Sequence, residues 1–175
     1  MGCFKGYALP SQYLGVEDEH RAVREKSGLF DRSYLTRVLI IGPNAAVAIQ
    51  RITTNDVSEM QEGDCAYTLI CNEKGGIMDD VVVYKWNEST YGMTIHPQNR
   101  GKILQHLKDH GLPGAKVMDL TEKTAQITLQ GPHSKHILSC ICQQLPEKPY
   151  RCKETEVVGR QCFVASVGFS GESAY

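Results

Sequence analysis

The chain has 175 residues, enough for one or two compact units with a real core. Its 19 basic and 20 acidic residues are interspersed, so no one-sided positive surface is built and no nucleic-acid partner is expected. No apolar run approaches the roughly 20 residues that span a bilayer, and Met1-Gly2-Cys3-Phe4-Lys5-Gly6 lacks the apolar core of a signal peptide, so no membrane partner is expected either.

Residues 4–14 carry Gly6, Pro10 and three aromatics, which predicts an extended lead-in. Glu17 to Lys26 is charged and helix-prone, with Gly28 as its stop. Leu29-Phe30-Asp31 then reads as a buried corner, and Thr36 to Ile41 as a strand. Gly42-Pro43 ends that strand, and Pro43 suits the first turn of a helix from Asn44 to Arg51, where its missing N–H costs nothing.

Two strands follow, Ala66 to Cys71 and Ile77 to Trp86, joined by a hairpin loop over residues 73–76. Then come a strand at Tyr91 to Ile95 and a helix from Gln98 to His110 that Gly111 ends. The unit at Val38 to Ala45 returns at Ile127 to Ser134, each copy a strand, a Gly-Pro break and a helix. Residues 143–153, with two prolines and mixed charge, mark a surface connection, and Glu156 to Val167 alternates as one or two strands. The run ending at Tyr175 reads as a strand cut short and the chain as a fragment. These interleaved elements predict an α+β fold with largely antiparallel sheets and packed helices. The seven cysteines are odd in number and contain no C-x-x-C pair, so reduced thiols in a reducing compartment are expected. Cys140-x-Cys142 falls late in a predicted helix, where neighbours two apart diverge, and is a poor metal or redox pair.

One stretch resists the pattern. In Gly75-Gly76-Ile77-Met78-Asp79-Asp80-Val81-Val82-Val83-Tyr84, two acids enter a β-branched run, although Asp is depleted in strands. If Asn72 pairs with Ile77, Tyr67 lies opposite Val82. Alternation then puts Met78, Asp80, Val82 and Tyr84 on one face and Asp79 on the other. Asp80 is thereby expected to look inward between Tyr67 and Tyr84, either at a satisfied structural hydrogen bond or held for a ligand. Other chemistries are weaker. Gly168-Phe169-Ser170-Gly171 has its second glycine one place early for a nucleophile elbow. The pairs His106/His110 and His133/His136 read as surface histidines, so no metal is expected. Gly75-Gly76 lies between strands and matches no phosphate loop.

Taken together, Gly28-Leu29-Phe30-Asp31-Arg32-Ser33, the Gly75–Asp80 stretch and Gly168-Phe169-Ser170-Gly171-Glu172 resemble the aminomethyltransferase (T-protein) family of the glycine cleavage system. The run from Tyr7 to Tyr175 lies along the family's first half without a large gap. The resemblance implies a ferredoxin-like central unit, residues 51–149, inside a discontinuous folate-binding domain built from residues 1–50 and 150–175, with a C-terminal barrel domain absent from this chain. It implies transfer of an aminomethyl group from a lipoylated carrier (H) protein to tetrahydrofolate, releasing ammonia and forming methylene-tetrahydrofolate. It places Asp80 at the catalytic and folate-binding position and Tyr67 and Tyr84 at site tyrosines. Ile95 falls where the family contacts the pterin through main chain, and Phe169 falls in the folate-binding loop.

The match has departures. Phe169 replaces a tyrosine, Arg32-Ser33-Tyr34 stands where a Ser-His pair is common, and His96 where Asn is common; the family's folate-binding glutamate would follow Tyr175. The fragment alone is therefore expected to be inactive. Two other readings stand beside this one: the folate-binding domain of a dimethylglycine or sarcosine dehydrogenase-like protein, and a non-catalytic folate-binding relative. The latter is marked by a Lys-Gly-Cys-Tyr motif that this chain lacks. In the bland alternative Asp80 merely caps a turn or pairs with a nearby base. The absence of an Arg- and Ser-rich leader points to the cytoplasm, or a mitochondrial matrix for a eukaryotic source.

Overall fold

In chain order the elements are β1 (Gly2–Phe4), β2 (Tyr7–Leu9), α1 (Val16–Glu25), β3 (Gly28–Asp31), β4 (Thr36–Ile41), α2 (Ala45–Gln50), β5 (Cys65–Cys71), β6 (Ile77–Asn87), β7 (Thr90–Ile95), α3 (Arg100–Asp109), β8 (Lys116–Asp119), β9 (Ile127–Gln130), α4 (Ser134–Ser139), β10 (Cys152–Val157) and β11 (Arg160–Ala165). They come from a computed structural model that describes residues 1–4, 6–111 and 113–175. Lys5, inside the expected lead-in, lies outside the described residues. The rest of that lead-in begins as a short hairpin of β1 and β2. No helix among the described residues is long and apolar enough to cross a membrane.

The chain divides into two units, Ser33–Ala125 and a second formed by Met1–Arg32 with Gln126–Tyr175. Junctions had been expected near 50 and 150. They fall earlier because β4 and α2 are committed to the central sheet and its core, while β9 pairs with β3.

The Ser33–Ala125 unit holds a five-stranded sheet of order β5-β6-β7-β4-β8, antiparallel at every neighbouring pair. Its succession, strand-helix-strand-strand-strand-helix-strand, has one strand more than the split β-α-β unit of ferredoxin-like folds. Period-two alternation makes the core. Val38 and Ile40 of β4, Val81 and Val83 of β6, and Tyr91, Met93 and Ile95 of β7 pack with Ala45 and Ile49 of α2 and Ile103 and Leu107 of α3. Burial along β6 alternates strictly from Asp79 to Lys85, so its even-numbered row, Asp80, Val82, Tyr84 and Trp86, stays half-buried. Lys85 falls on the core row, and its ammonium is satisfied by the Met60 carbonyl at 2.9 Å and Glu88 Oε2 at 3.2 Å.

The β5–β6 hairpin pairs Tyr67 with Val82 as expected, but the loop end differs. A register shift after Ile70 pairs Cys71, not Asn72, with Ile77. Asn72 is instead consumed by the turn: its Oδ1 accepts the Lys74 and Gly76 N–H groups, and its carbonyl accepts the Gly75 N–H.

In the second unit β3 and β9 pair antiparallel, as do β10 and β11. The expected buried corner at Leu29 is not there. Residues 28–31 form a strand whose exposure alternates, which leaves Leu29 71% exposed while Phe30 turns inward. The strand, Gly-Pro and helix repeat is real: Gly42 after β4 and Gly131 after β9 adopt φ of +131° and +127°. Helix α4 ends at Ser139, so Cys140 and Cys142 lie past it rather than within it, and all seven cysteines are unbridged thiols.

Candidate functional site

The Gly75-Gly76 turn launches β6 so that its two adjacent acids must part, because consecutive strand side chains point to opposite faces. Asp79 takes the core row and is 4% exposed. Asp80 takes the open row, with 44% of its side chain exposed. The expected inward acid is therefore corrected. The face of Asp80 is the one expected, beside Tyr67, but α2 and α3 cover the opposite face, so the acid that the core encloses is Asp79.

On the open face the Tyr67 hydroxyl donates to Asp80 Oδ2 at 2.8 Å. Tyr67 stands opposite Val82, diagonal to Asp80, and its ring is exposed. Tyr84 shares the row, and its hydroxyl accepts from Thr94 Oγ1 at 3.3 Å. Ile95 closes β7 with its side chain in the core, so only its main chain is available to a ligand. The β6–β7 register ends at Val82 and Thr94, one residue short of it. Phe169 belongs to the other unit. There its ring meets Phe30 edge-on at 5.3 Å and carries the Arg32 guanidinium at 4.1 Å. The loop around it hangs on buried Gln130, whose Oε1 accepts from the Phe169 N–H, the Ser170 N–H and the Ser170 hydroxyl.

Sequence reasoning missed the group that organises the strand end. Asp79 Oδ2 accepts the His96 N–H at 3.0 Å, and Asp79 Oδ1 lies 3.0 Å from His96 Nδ1 and accepts from Asn99 Nδ2 at 2.8 Å. His96 Nδ1 is also 3.6 Å from Asp80 Oδ1. Part of the signal was available, since two neighbouring acids on a strand with one covered face put one of them on that face, and a buried carboxylate requires donors. The ligating atoms of Asp79, Asp80 and His96 lie within 4.8 Å of one another. Asp79 has three nitrogen neighbours at its oxygens, the His96 main-chain N–H, His96 Nδ1 and Asn99 Nδ2, so hydrogen bonding links it to the residues just past β7. His106 and His110 are half-buried rather than surface groups. Their rings are 4.2 Å apart, and burial, with the neighbouring His110, lowers the pKa of His106.

A family model described as the GCVT N-terminal domain matches residues 1–175. An aminomethyltransferase of Clostridium botulinum (strain Okra / Type B1) is 38% identical over 98% of this chain and 48% of its own length. That of Rubrobacter xylanophilus is 38% identical over 98% of this chain and 47% of its own. The chain thus spans about half the length of the curated relatives it matches. The crystal structure of glycine cleavage system aminomethyltransferase T from Bartonella henselae superposes with a TM-score of 0.88 at 26% identity, covering 99% of this chain and 47% of that one. A heterotetrameric sarcosine oxidase from Corynebacterium sp. U-96, at 13% identity and a TM-score of 0.63 over 90% of this chain and 79% of that one, shares the fold.

Proposed function

Because the chain belongs to the aminomethyltransferase family, as its GCVT N-terminal domain, we propose that it supplies the folate-binding half of a glycine cleavage T-protein. The whole protein would take an aminomethyl group from a lipoylated carrier (H) protein, release ammonia and form methylene-tetrahydrofolate. The observation that carries the reading is the exposed Asp80 carboxylate, reached on one oxygen by the Tyr67 hydroxyl at 2.8 Å. A pterin offers an amino group and a ring N–H side by side, which two carboxylate oxygens can accept in parallel. Asp80 would orient the ring so that N5 attacks the aminomethyl carbon, acting electrostatically or by taking a proton. Tyr67 and Tyr84 supply flat apolar surface on the same face, and the Ile95 main chain offers polar groups at its end. The seven unbridged thiols suit a reducing compartment, the cytoplasm or a mitochondrial matrix.

The one-carbon donor decides the reading. Full-length protein is expected to turn over aminomethyl-lipoyl carrier protein and to ignore dimethylglycine; activity with dimethylglycine alone would move the chain to the sarcosine and dimethylglycine oxidising group. The likeness to sarcosine oxidase, at 13% identity, supports the shared fold and does not favour that group.

Tyr67→Phe keeps the ring and removes one hydrogen bond. Because the pair is exposed, the expected loss in tetrahydrofolate affinity or turnover is only about three- to tenfold. Titration of both proteins with tetrahydrofolate, alongside steady-state rates, reads it. Indistinguishable values would remove the hydroxyl from the site.

A further inference from the structure

Asp79 has the lowest exposure of the acids at this site, its side chain being 2% exposed, and the proposed transfer gives it no role. A carboxylate on a core face survives only if its oxygens are filled. Three contacts do this, and two of them come from one residue: the main-chain N–H and the ring nitrogen Nδ1 of His96. For Nδ1 to donate to Asp79 it must carry the hydrogen, so the buried acid selects the ring's tautomer and its orientation. The same Nδ1 stands 3.6 Å from Asp80 Oδ1.

Resting on the reading that Asp80 carries the transfer, we propose that His96, clamped by Asp79, is a positioning residue for Asp80. Adjacent acids on a strand face opposite ways, so nothing within the sheet can touch both. His96 can, because β6–β7 pairing stops at Val82 and Thr94 and the chain just past β7 turns across the open end of the ladder. Asp80 is then bounded on two sides, by the Tyr67 hydroxyl donating to Oδ2 and by the edge of the imidazole 3.6 Å from Oδ1, a packing and electrostatic contact beyond hydrogen-bond length that limits rotation of the carboxylate while leaving its remaining lone pairs to a ligand. Burying Asp79 would need only the His96 main chain and Asn99. The ring's approach to Asp80 is the part a purely structural network does not require.

The test uses full-length protein with His96→Ala and His96→Asn. The amide nitrogen of Asn branches from the γ carbon as Nδ1 does, so it can donate to the same oxygen. His96→Ala is expected to lose roughly ten- to a hundredfold in kcat at little changed KM for tetrahydrofolate, with His96→Asn recovering to within about threefold of wild type. Wild-type kcat in His96→Ala, or an equal loss in His96→Asn, overturns the proposal. Nitrogen-15 NMR of the His96 ring supplies a readout independent of turnover: the Nδ1–H tautomer is expected in wild type and unchanged in Asp80→Asn, and a wild-type Nε2–H tautomer overturns the clamp. Normal turnover of Asp80→Asn would instead remove the function reading while the ring's tautomer still decides the clamp.

Discussion

Asp80→Asn in the full-length protein is expected to lower one-carbon transfer by roughly two to four orders of magnitude. The fold should be untouched. The side chain sits on the half-buried row of β6, 44% exposed, with the Tyr67 hydroxyl and the His96 ring as polar neighbours, so the substitution changes charge without opening a cavity. An asparagine retains one acceptor oxygen, which can still take the tyrosine hydroxyl, but it carries no negative charge and cannot accept two parallel pterin hydrogen bonds. Stability is accordingly expected to stay within about 0.5 kcal/mol of wild type, as for an exposed substitution away from packing. Rates measured beside a denaturation curve separate the two effects. Near-normal turnover would take Asp80 out of the mechanism.

The largest stability effect is expected at the repeated Gly-Pro turns. A Cβ on Gly131 would sit 2.5 Å from the Lys26 carbonyl oxygen, 2.7 Å from the Ser27 Cα and 2.8 Å from the Val23 carbonyl oxygen, all of them backbone atoms that cannot rotate away. The residue also holds φ +127°, which side chains rarely adopt. Gly131→Ala should therefore cost about 3 kcal/mol or more, adding backbone strain to overlap. Gly42 has the same form in the other unit, where a Cβ would overlap the Gly114 carbonyl oxygen. Gly101 is the control: it lies in the first turn of α3 with nothing within 4 Å of an added Cβ, so Gly101→Ala should gain about 0.5–1 kcal/mol. The urea midpoints of the three variants read the order directly, and equal midpoints would refute the packing argument.

Those turns were legible because glycine, proline and a change of hydrophobic period leave a mark in one short stretch. Alternation was legible too. It placed Tyr67 opposite Val82 and put Asp80, Val82 and Tyr84 on a common row even though the pair chosen to anchor the hairpin, Asn72 with Ile77, was displaced by the turn chemistry of Asn72. Period two says which residues share a face, but it does not say which face the helices cover. That is why Asp79, not Asp80, is the enclosed acid, and why Leu29 is exposed on a two-stranded ladder. The His96 and Asn99 clamp on Asp79 joins residues 17 and 20 positions apart, through a turn whose course only the folded sheet defines. The division at Arg32 and Ala125 depends likewise on long-range pairing, β9 with β3, that no local pattern announces.

A crystal structure of the full-length protein with tetrahydrofolate bound tests the account at its centre. The pterin is expected on the open face of β6, with its amino and ring N–H groups donating to the Asp80 carboxylate and the Tyr67 ring alongside. A pterin seated elsewhere, with Asp80 still facing bulk water, would contradict it.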